Sequence, residues 1–339
     1  MQNITLLMTI LKNIIFFLFF SMTSFSQNIF KYEKEIDSVG NYISTVININ
    51  NTTKKIVLSG TLIQPKNDFD KIVIIVPGSG KDTRHSHFKL ATTLLKKGIA
   101  VYRFDERGIG ESGGEYSESA KDMSEDLNFV FKYLKETNKN IKIGIIGHSL
   151  GGIATLEIIQ NESIPDFIIL IETPVLKNGD FVMNQIQMDY EQKIPKIMRN
   201  GKSKEETLLF LEGFFKIISK DSILDKNEFK KYIKEKGFNK NCIIIIQDVA
   251  LVELLTTDLE NVLERIAIPV LYLTGTKDKI INHQKEIDLL RKLNNQNIEV
   301  HIFEGLNHWL TDKNAKVGDS LYDMDESVLN KITNWLLKF

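Results

Sequence analysis

From Ile72 onward the chain alternates short, largely apolar runs with stretches whose apolar residues recur every three to four positions. The runs at 72–76, 100–104, 141–146, 167–171, 270–273 and 298–303 are rich in Ile and Val, as strands buried on both faces of a parallel sheet must be. Between them, 88–97 ends at Gly98, 122–137 places Met123, Leu127, Val130, Phe131 and Leu134 on one side, and 327–337 repeats Val328, Leu329, Ile332, Trp335 and Leu336. Each spacing predicts an amphipathic helix. Strands and helices in alternation predict an α/β fold, a doubly wound and mostly parallel sheet. Ahead of it, 42–49 and 55–63 read as two antiparallel strands joined across Asn50 and Asn51, at the sheet edge.

The rhythm breaks between 176 and 255. There Ser203 and Glu206 form a capping box ahead of Leu208, Leu209, Leu211, Phe214, Phe215 and Ile218, and 181–190 and 229–236 also have helical spacing. A structureless loop of this length is out of place in a compact domain. The segment is therefore expected to be a helical cap inserted into a core made of 27–175 and 256–339. Inside it, 242–246 has the composition of a strand and no evident place.

Charge and cysteine use narrow the function. Basic and acidic residues number 43 and 44, for a net charge of -1, so no global field draws the chain to nucleic acid or to an acidic membrane surface. Cys242 is the single cysteine, which excludes an intramolecular disulfide and any multi-thiolate metal site. At the N-terminus, Lys12 precedes an apolar run at 14–20, and Ser24 and Ser26 flank a cut before Gln27. This pattern predicts a signal peptide over 1–26, export to the periplasm or medium, and no stable membrane insertion after cleavage. The alternative is an uncleaved anchor, because 4–11 is apolar too.

The chemistry concentrates after the run at 141–146. Gly147-His148-Ser149-Leu150-Gly151 follows it directly, and a helical run at 153–160 comes next. G-x-S-x-G between a strand and a helix is a nucleophile elbow: the serine sits on a sharp, strained turn, and close packing leaves no room for side chains two positions either way. The bare pattern arises by chance, but its flanking strand and helix make it specific.

Taken with Pro77-Gly78-Ser79-Gly80, the stretch from Phe104-Asp105-Glu106-Arg107 to Gly110-Glu111-Ser112, Gly275-Thr276-Lys277-Asp278 and Gly305-Leu306-Asn307-His308, the elbow makes the chain resemble an α/β-hydrolase. It is similar to the bacterial esterases that carry a helical cap, from about Leu58 to the C-terminus. The resemblance implies Ser149 as nucleophile, His308 as general base and Asp278 as the acid that orients the base, in the chain order this fold imposes. His308 follows the last strand and precedes the last helix. Among the other histidines, His148 lies inside the elbow, His85 and His87 after an early strand, His301 within a strand and His283 at a helix start. Asp258 and Glu304 are the acids that compete with Asp278.

Acyl transfer also needs donors where negative charge develops. The amide of Leu150 is one, and Ser79, in the glycine-rich turn after 72–76, occupies the second donor position. That turn lacks the Gly-Lys-Ser/Thr of a phosphate loop. Arg107 and Asp105 are expected in a structural ion-pair network, and Asp82 and Arg84 at the site entrance. The expected reaction is hydrolysis of a small to medium carboxylic ester through an acyl-enzyme, without metal or organic cofactor. Thioester or acyl-transfer chemistry and peptide cleavage fit the same groups, and a non-catalytic binding relative is the reading from a different class.

Overall fold

The computed structural model describes residues 33–34, 36, 41–194, 196–220, 225–312 and 322–338, so the expected leader at 1–26 lies outside the described residues. The strands are β1 (Tyr42–Asn51), β2 (Ile56–Pro65), β3 (Lys71–Val76), β4 (Ala100–Phe104), β5 (Lys142–His148), β6 (Phe167–Ile171), β7 (Val270–Gly275) and β8 (Ile298–Phe303). They form one sheet in the order β1-β2-β4-β3-β5-β6-β7-β8. β1 pairs antiparallel with β2, and β2 with β4; every pairing from β4 to β8 is parallel. Parallel strands leave the loops after β3, β5, β6, β7 and β8 at one end of the sheet, where ligands gather in such domains.

The central strands are mostly apolar because both faces are covered, whereas β8 at the sheet edge carries Glu299 and His301 and is only half-buried; side chains alternate between the faces. Val73 and Ile75 pack with Ile146, Leu271, α1 (Phe88–Lys96) and α12 (Glu326–Leu336). Ile72 and Ile74 point the other way, with Ile143, Ile145, Ile168, α2 (Ala120–Thr137) and α3 (Leu150–Gln160). Ser119 caps α2 by accepting from the Asp122 amide at 3.1 Å.

Between β6 and β7 the chain runs through α4 (Asp180–Met188), α5 (Tyr190–Lys193), α6 (Lys196–Arg199), α7 (Lys204–Lys220), α8 (Lys226–Glu235), α9 (Val249–Thr256) and α10 (Glu260–Arg265). The capping box at the start of α7 is reciprocal: Ser203 Oγ accepts from the Glu206 amide at 3.1 Å, and Glu206 Oε2 accepts from the Ser203 amide at 2.9 Å. Phe210, Phe214 and Phe229 from this segment belong to the same apolar cluster as Ile72 and Leu127, so it extends one face of the sheet core. The run at 242–246 is not a strand: it lies in a 3-10 helix, Lys240–Gln247. It packs among helices, where Cys242 and Ile245 bury themselves in the same apolar cluster. After β7, α11 (His283–Leu293) leads to β8. Among the described residues no helix is long and apolar enough to cross a membrane.

Candidate active site

β5 ends in the elbow, and Ser149 turns the chain into α3 with φ 52 and ψ -116. That left-handed φ is strained for a residue with a side chain, and it persists because the surroundings fix it. The Ser149 amide donates to Ile171 O at 2.8 Å, and Ser149 O accepts from the Gly152 amide at 2.9 Å. A Cβ on Gly147 would stand 2.6 Å from Gly151 O, and one on Gly151 would collide with Pro77 O. The elbow glycines thus answer to backbone on both sides. Leu150 opens α3, where the first amides have no partner within the helix. The turn after β3 lies against the nucleophile: a Cβ on Gly78 would be 3.1 Å from Ser149 Cβ, and Ser79 is the next residue, half-buried.

Asp278 lies just past β7 and His308 just past β8, and the two meet. His308 Nδ1 is 2.7 Å from Asp278 Oδ2. Asp278 Oδ1 also accepts from the amides of Ile280 at 2.5 Å and Ile281 at 2.9 Å. Burial pushes the Asp278 carboxyl up, but the His308 ring, its hydrogen bond, Glu172 and the Ile281 amide outweigh burial and hold it below the usual range. Asp278 is therefore an anion aimed at the ring. Among the described residues the hydrogen bonds stop at His308, and none joins its ring to the Ser149 hydroxyl; such bonds often close only once substrate is bound.

His148, inside the elbow, spends both ring nitrogens on other protein groups. Its Nε2 is 2.9 Å from His308 O and its Nδ1 is 3.2 Å from His87 Nε2. Burial, then the His308 and His87 rings, hold His148 far below its ordinary pKa, and burial, then Arg103, depresses His87 to about 3. Neutral His148 therefore donates from Nε2 to the His308 carbonyl and accepts from His87, which tethers the His308 loop to the elbow. Nothing in the local sequence around His87 points to this role. His283 opens α11 and His301 lies within β8, as the pattern predicts. Asp258 Oδ1 accepts from the Glu260 amide at 3.1 Å at the start of α10.

The loop after β4 is held by buried ion pairs, with partners other than those expected. Asp105 pairs with Arg84, whose Nη2 is 2.6 Å from Asp105 Oδ2, while Arg107 pairs with Asp126 and Asp122, each at 2.7 Å. Asp82 and Arg84 do not line an entrance: both are buried, Arg84 in that ion pair and Asp82 with the Tyr322 hydroxyl. Each is drawn inward because it finds a charged or polar partner there.

Glu172 belongs to no motif that marks it in the sequence. It follows β6 directly, is fully buried, and presents a ligand atom that lies with those of Asp278 and His308 inside 4.8 Å. Among the described residues this is the one acid and histidine group dense enough to hold an ion. Its oxygens and ring nitrogen are spent on each other and on Thr274 and Gly275, so it reads as a hydrogen-bonded unit and not as a set of metal ligands. Its place directly after a core strand does not by itself separate it from a solvated loop acid.

Residues 67–313 match the family described as serine aminopeptidase, S33. The chain is 26% identical to Esterase EstD of Thermotoga maritima over 279 residues, which is 78% of this chain and 62% of EstD. It is 37% identical over 99 residues to Lysophosphatidylserine lipase ABHD12 of Xenopus tropicalis, 28% of this chain and 24% of that one. It thus spans less than two thirds of either relative. The esterase Pf2001 of Pyrococcus furiosus has the same fold, with a TM-score of 0.57 at 19% identity over 88% of this chain and 92% of that one.

Proposed function

The chain belongs to the serine aminopeptidase S33 family of α/β-hydrolases, and from that membership we propose that it is an esterase that works through an acyl-enzyme on Ser149. The observation that carries the reading is the strained elbow at Ser149 beside a buried His308 whose Nδ1 is 2.7 Å from Asp278. Ser149 Oγ attacks the ester carbonyl carbon while His308 Nε2 takes its proton. Charge gathers on the carbonyl oxygen, where the Leu150 and Ser79 amides receive it. His308 then gives the proton to the departing alcohol. Water repeats both steps on the acyl-enzyme and releases the acid. Asp278 fixes the ring tautomer and balances the imidazolium as it forms. No step calls on a metal or organic cofactor.

The helices between β6 and β7 act in this proposal as a cap that selects the acyl or alcohol group. The leading substrate is a small to medium carboxylic ester, in keeping with the esterases among its relatives. Export after removal of 1–26 belongs to the same reading, and the mass of the mature N-terminus tests it.

A fluorophosphonate probe and a panel of p-nitrophenyl esters, thioesters and peptide amides test the activity together. The probe is expected to label the parent and not Ser149→Ala, and hydrolysis is expected to fall by orders of magnitude in that variant while it stays folded. Turnover close to the parent's in Ser149→Ala would refute the nucleophile. An unlabelled, inert parent would favour the non-catalytic relative.

A further inference from the structure

The end of the sheet holds one more ionisable side chain that the reaction above does not use. Glu172 sits at φ 44, a left-handed conformation, and is held there on every side. Its amide donates to Leu273 O at 2.9 Å, its Oε2 accepts from the Thr274 hydroxyl at 2.7 Å, and its Oε1 accepts from the Gly275 amide. A Cβ on Gly275 would first strike Leu306 O and would also lie 3.2 Å from Oε1, so glycine there admits both the Leu306 carbonyl and the Glu172 carboxyl. This places the Glu172 carboxyl against that of Asp278, with no water-exposed surface on Glu172.

Two carboxyls this close and this buried do not both ionise; one keeps a proton. Asp278 receives three N–H groups, from Ile280, Ile281 and the His308 ring that turns cationic during reaction. Glu172 receives one amide and one hydroxyl. The anion therefore belongs on Asp278 and the proton on Glu172. Burial, and after it the charge on Asp278, drives the Glu172 carboxyl well above the usual range, in the same direction. The other groups that face the pair are Tyr272 on β7 and Glu286 on α11, while His148 at the end of β5 faces the His308 ring. Burial pushes Glu286 up to about 8, so it too is neutral at neutral pH and leaves Asp278 the one negative charge in the cluster. Lys277 and Lys279 flank Asp278 in sequence and are exposed to solvent.

We propose that Glu172 is a positioning residue: a protonated carboxylic acid, clamped by Thr274 and Gly275, that donates a hydrogen bond to Asp278 and fixes it as a single anion aimed at His308. The inference rests on His308 and Asp278 acting in the proposed acyl transfer. Were Glu172 ionised, two negative charges would face the ring, hold it as imidazolium and disable it as a base.

Two measurements on the full chain test this. The first is the infrared difference between the parent and Glu172→Gln at neutral pH, which reads protonation without reference to activity. It is expected to show loss of a protonated carboxylic acid; loss of an ionised carboxylate overturns the proposal. The second is kcat and KM against pH on a p-nitrophenyl ester for the parent, Glu172→Gln and Glu172→Ala. The glutamine amide still donates, so Glu172→Gln should keep kcat within about threefold and leave the acid limb in place. Glu172→Ala should lower kcat about 10- to 100-fold, the worth of a hydrogen bond to a charged group, with KM nearly unchanged. A Glu172→Gln acid limb lowered by about one pH unit or more, or a kcat as low as that of Glu172→Ala, overturns it as well. If Glu172→Ala does not fold, the infrared difference and the Glu172→Gln profile still decide. A parent that resists the fluorophosphonate probe fails on the underlying acyl-enzyme reading, and the infrared difference alone then decides where the proton sits.

Discussion

His308 Nδ1 and Asp278 Oδ2 stand 2.7 Å apart with at most 5% of either side chain open to solvent. Residues 30 positions apart in the chain meet because β7 and β8 are parallel neighbours, paired from Val270 with Ile298 to Gly275 with Phe303, and end side by side. Burial strengthens the interaction, since little water competes for the aspartate or screens its charge.

Asp278→Asn keeps the shape of that contact and removes its charge. An amide cannot both hold the Nδ1–H tautomer and balance an imidazolium, so kcat on a p-nitrophenyl ester should drop on the order of 10³- to 10⁴-fold, with a much smaller change in KM. Steady-state kinetics on the purified variant checks this; a loss below about tenfold would assign the role to another acid.

Glycine positions separate steric need from backbone need. Gly151→Ala puts a Cβ into Pro77 O and 2.6 Å from Val76 O, both backbone atoms that cannot swing aside. It should be insoluble or lose several kcal/mol of stability, on the order of 3 or more. Gly98→Ala meets nothing within 4 Å and answers only to its φ of 79, so its cost should be about 1–2 kcal/mol. Urea unfolding of the two variants gives the comparison directly.

Glu286 links stability to pH. Its Oε2 accepts from the amides of Val175 and Leu176 at 2.8 and 3.0 Å, while Oε1 has no partner among the described residues and is the natural seat of the proton. Burial, opposed by those two amides and aided by Asp278, pushes this carboxyl up to about 8. The sign follows from the folded state holding the proton more tightly than the unfolded chain. The contribution is complete below the unfolded value and is lost as pH rises toward 8. Glu286→Gln cannot ionise in either state and keeps an oxygen for both amides. Between pH 6 and pH 8 the parent should therefore lose roughly 2 kcal/mol relative to Glu286→Gln. Unfolding free energies in urea at the two pH values test it, and equal slopes would show that the acid is not neutral in the fold.

Arg84 and Asp105 form an ion pair in which neither side chain is more than 8% exposed. Removing one partner leaves the other charge stranded in the interior, so Arg84→Met should cost about 3–5 kcal/mol of stability. Because Arg84 supports the loop after β4 and does not touch Ser149, the folded fraction should still be labelled by a fluorophosphonate. Thermal melts together with labelling distinguish the two effects.

The chain's own pattern determined the central strands, because a strand covered on both faces of a parallel sheet must be mostly apolar, and the helical spacings between the runs set their alternation. It determined the elbow as well, since the space around Gly147 is set by residues adjacent in sequence. With strand ends known, the loops bearing Ser149, Asp278 and His308 could be assigned to one end of the sheet. Tertiary structure alone decided which charges pair. Asp105 takes Arg84 and leaves Arg107 to Asp126 because β3 and β4 lie side by side, a fact absent from local spacing. It also turned 242–246 into a 3-10 helix, where packing between helices overrides the β preference of four consecutive isoleucines. Glu172 was hidden for the same reason: after an apolar strand an acid looks solvated, and it becomes a buried partner of Asp278 once β6 and β7 stand next to each other. Periodicity and local sterics depend on neighbours along the chain, whereas the pairing of buried charges depends on neighbours in space.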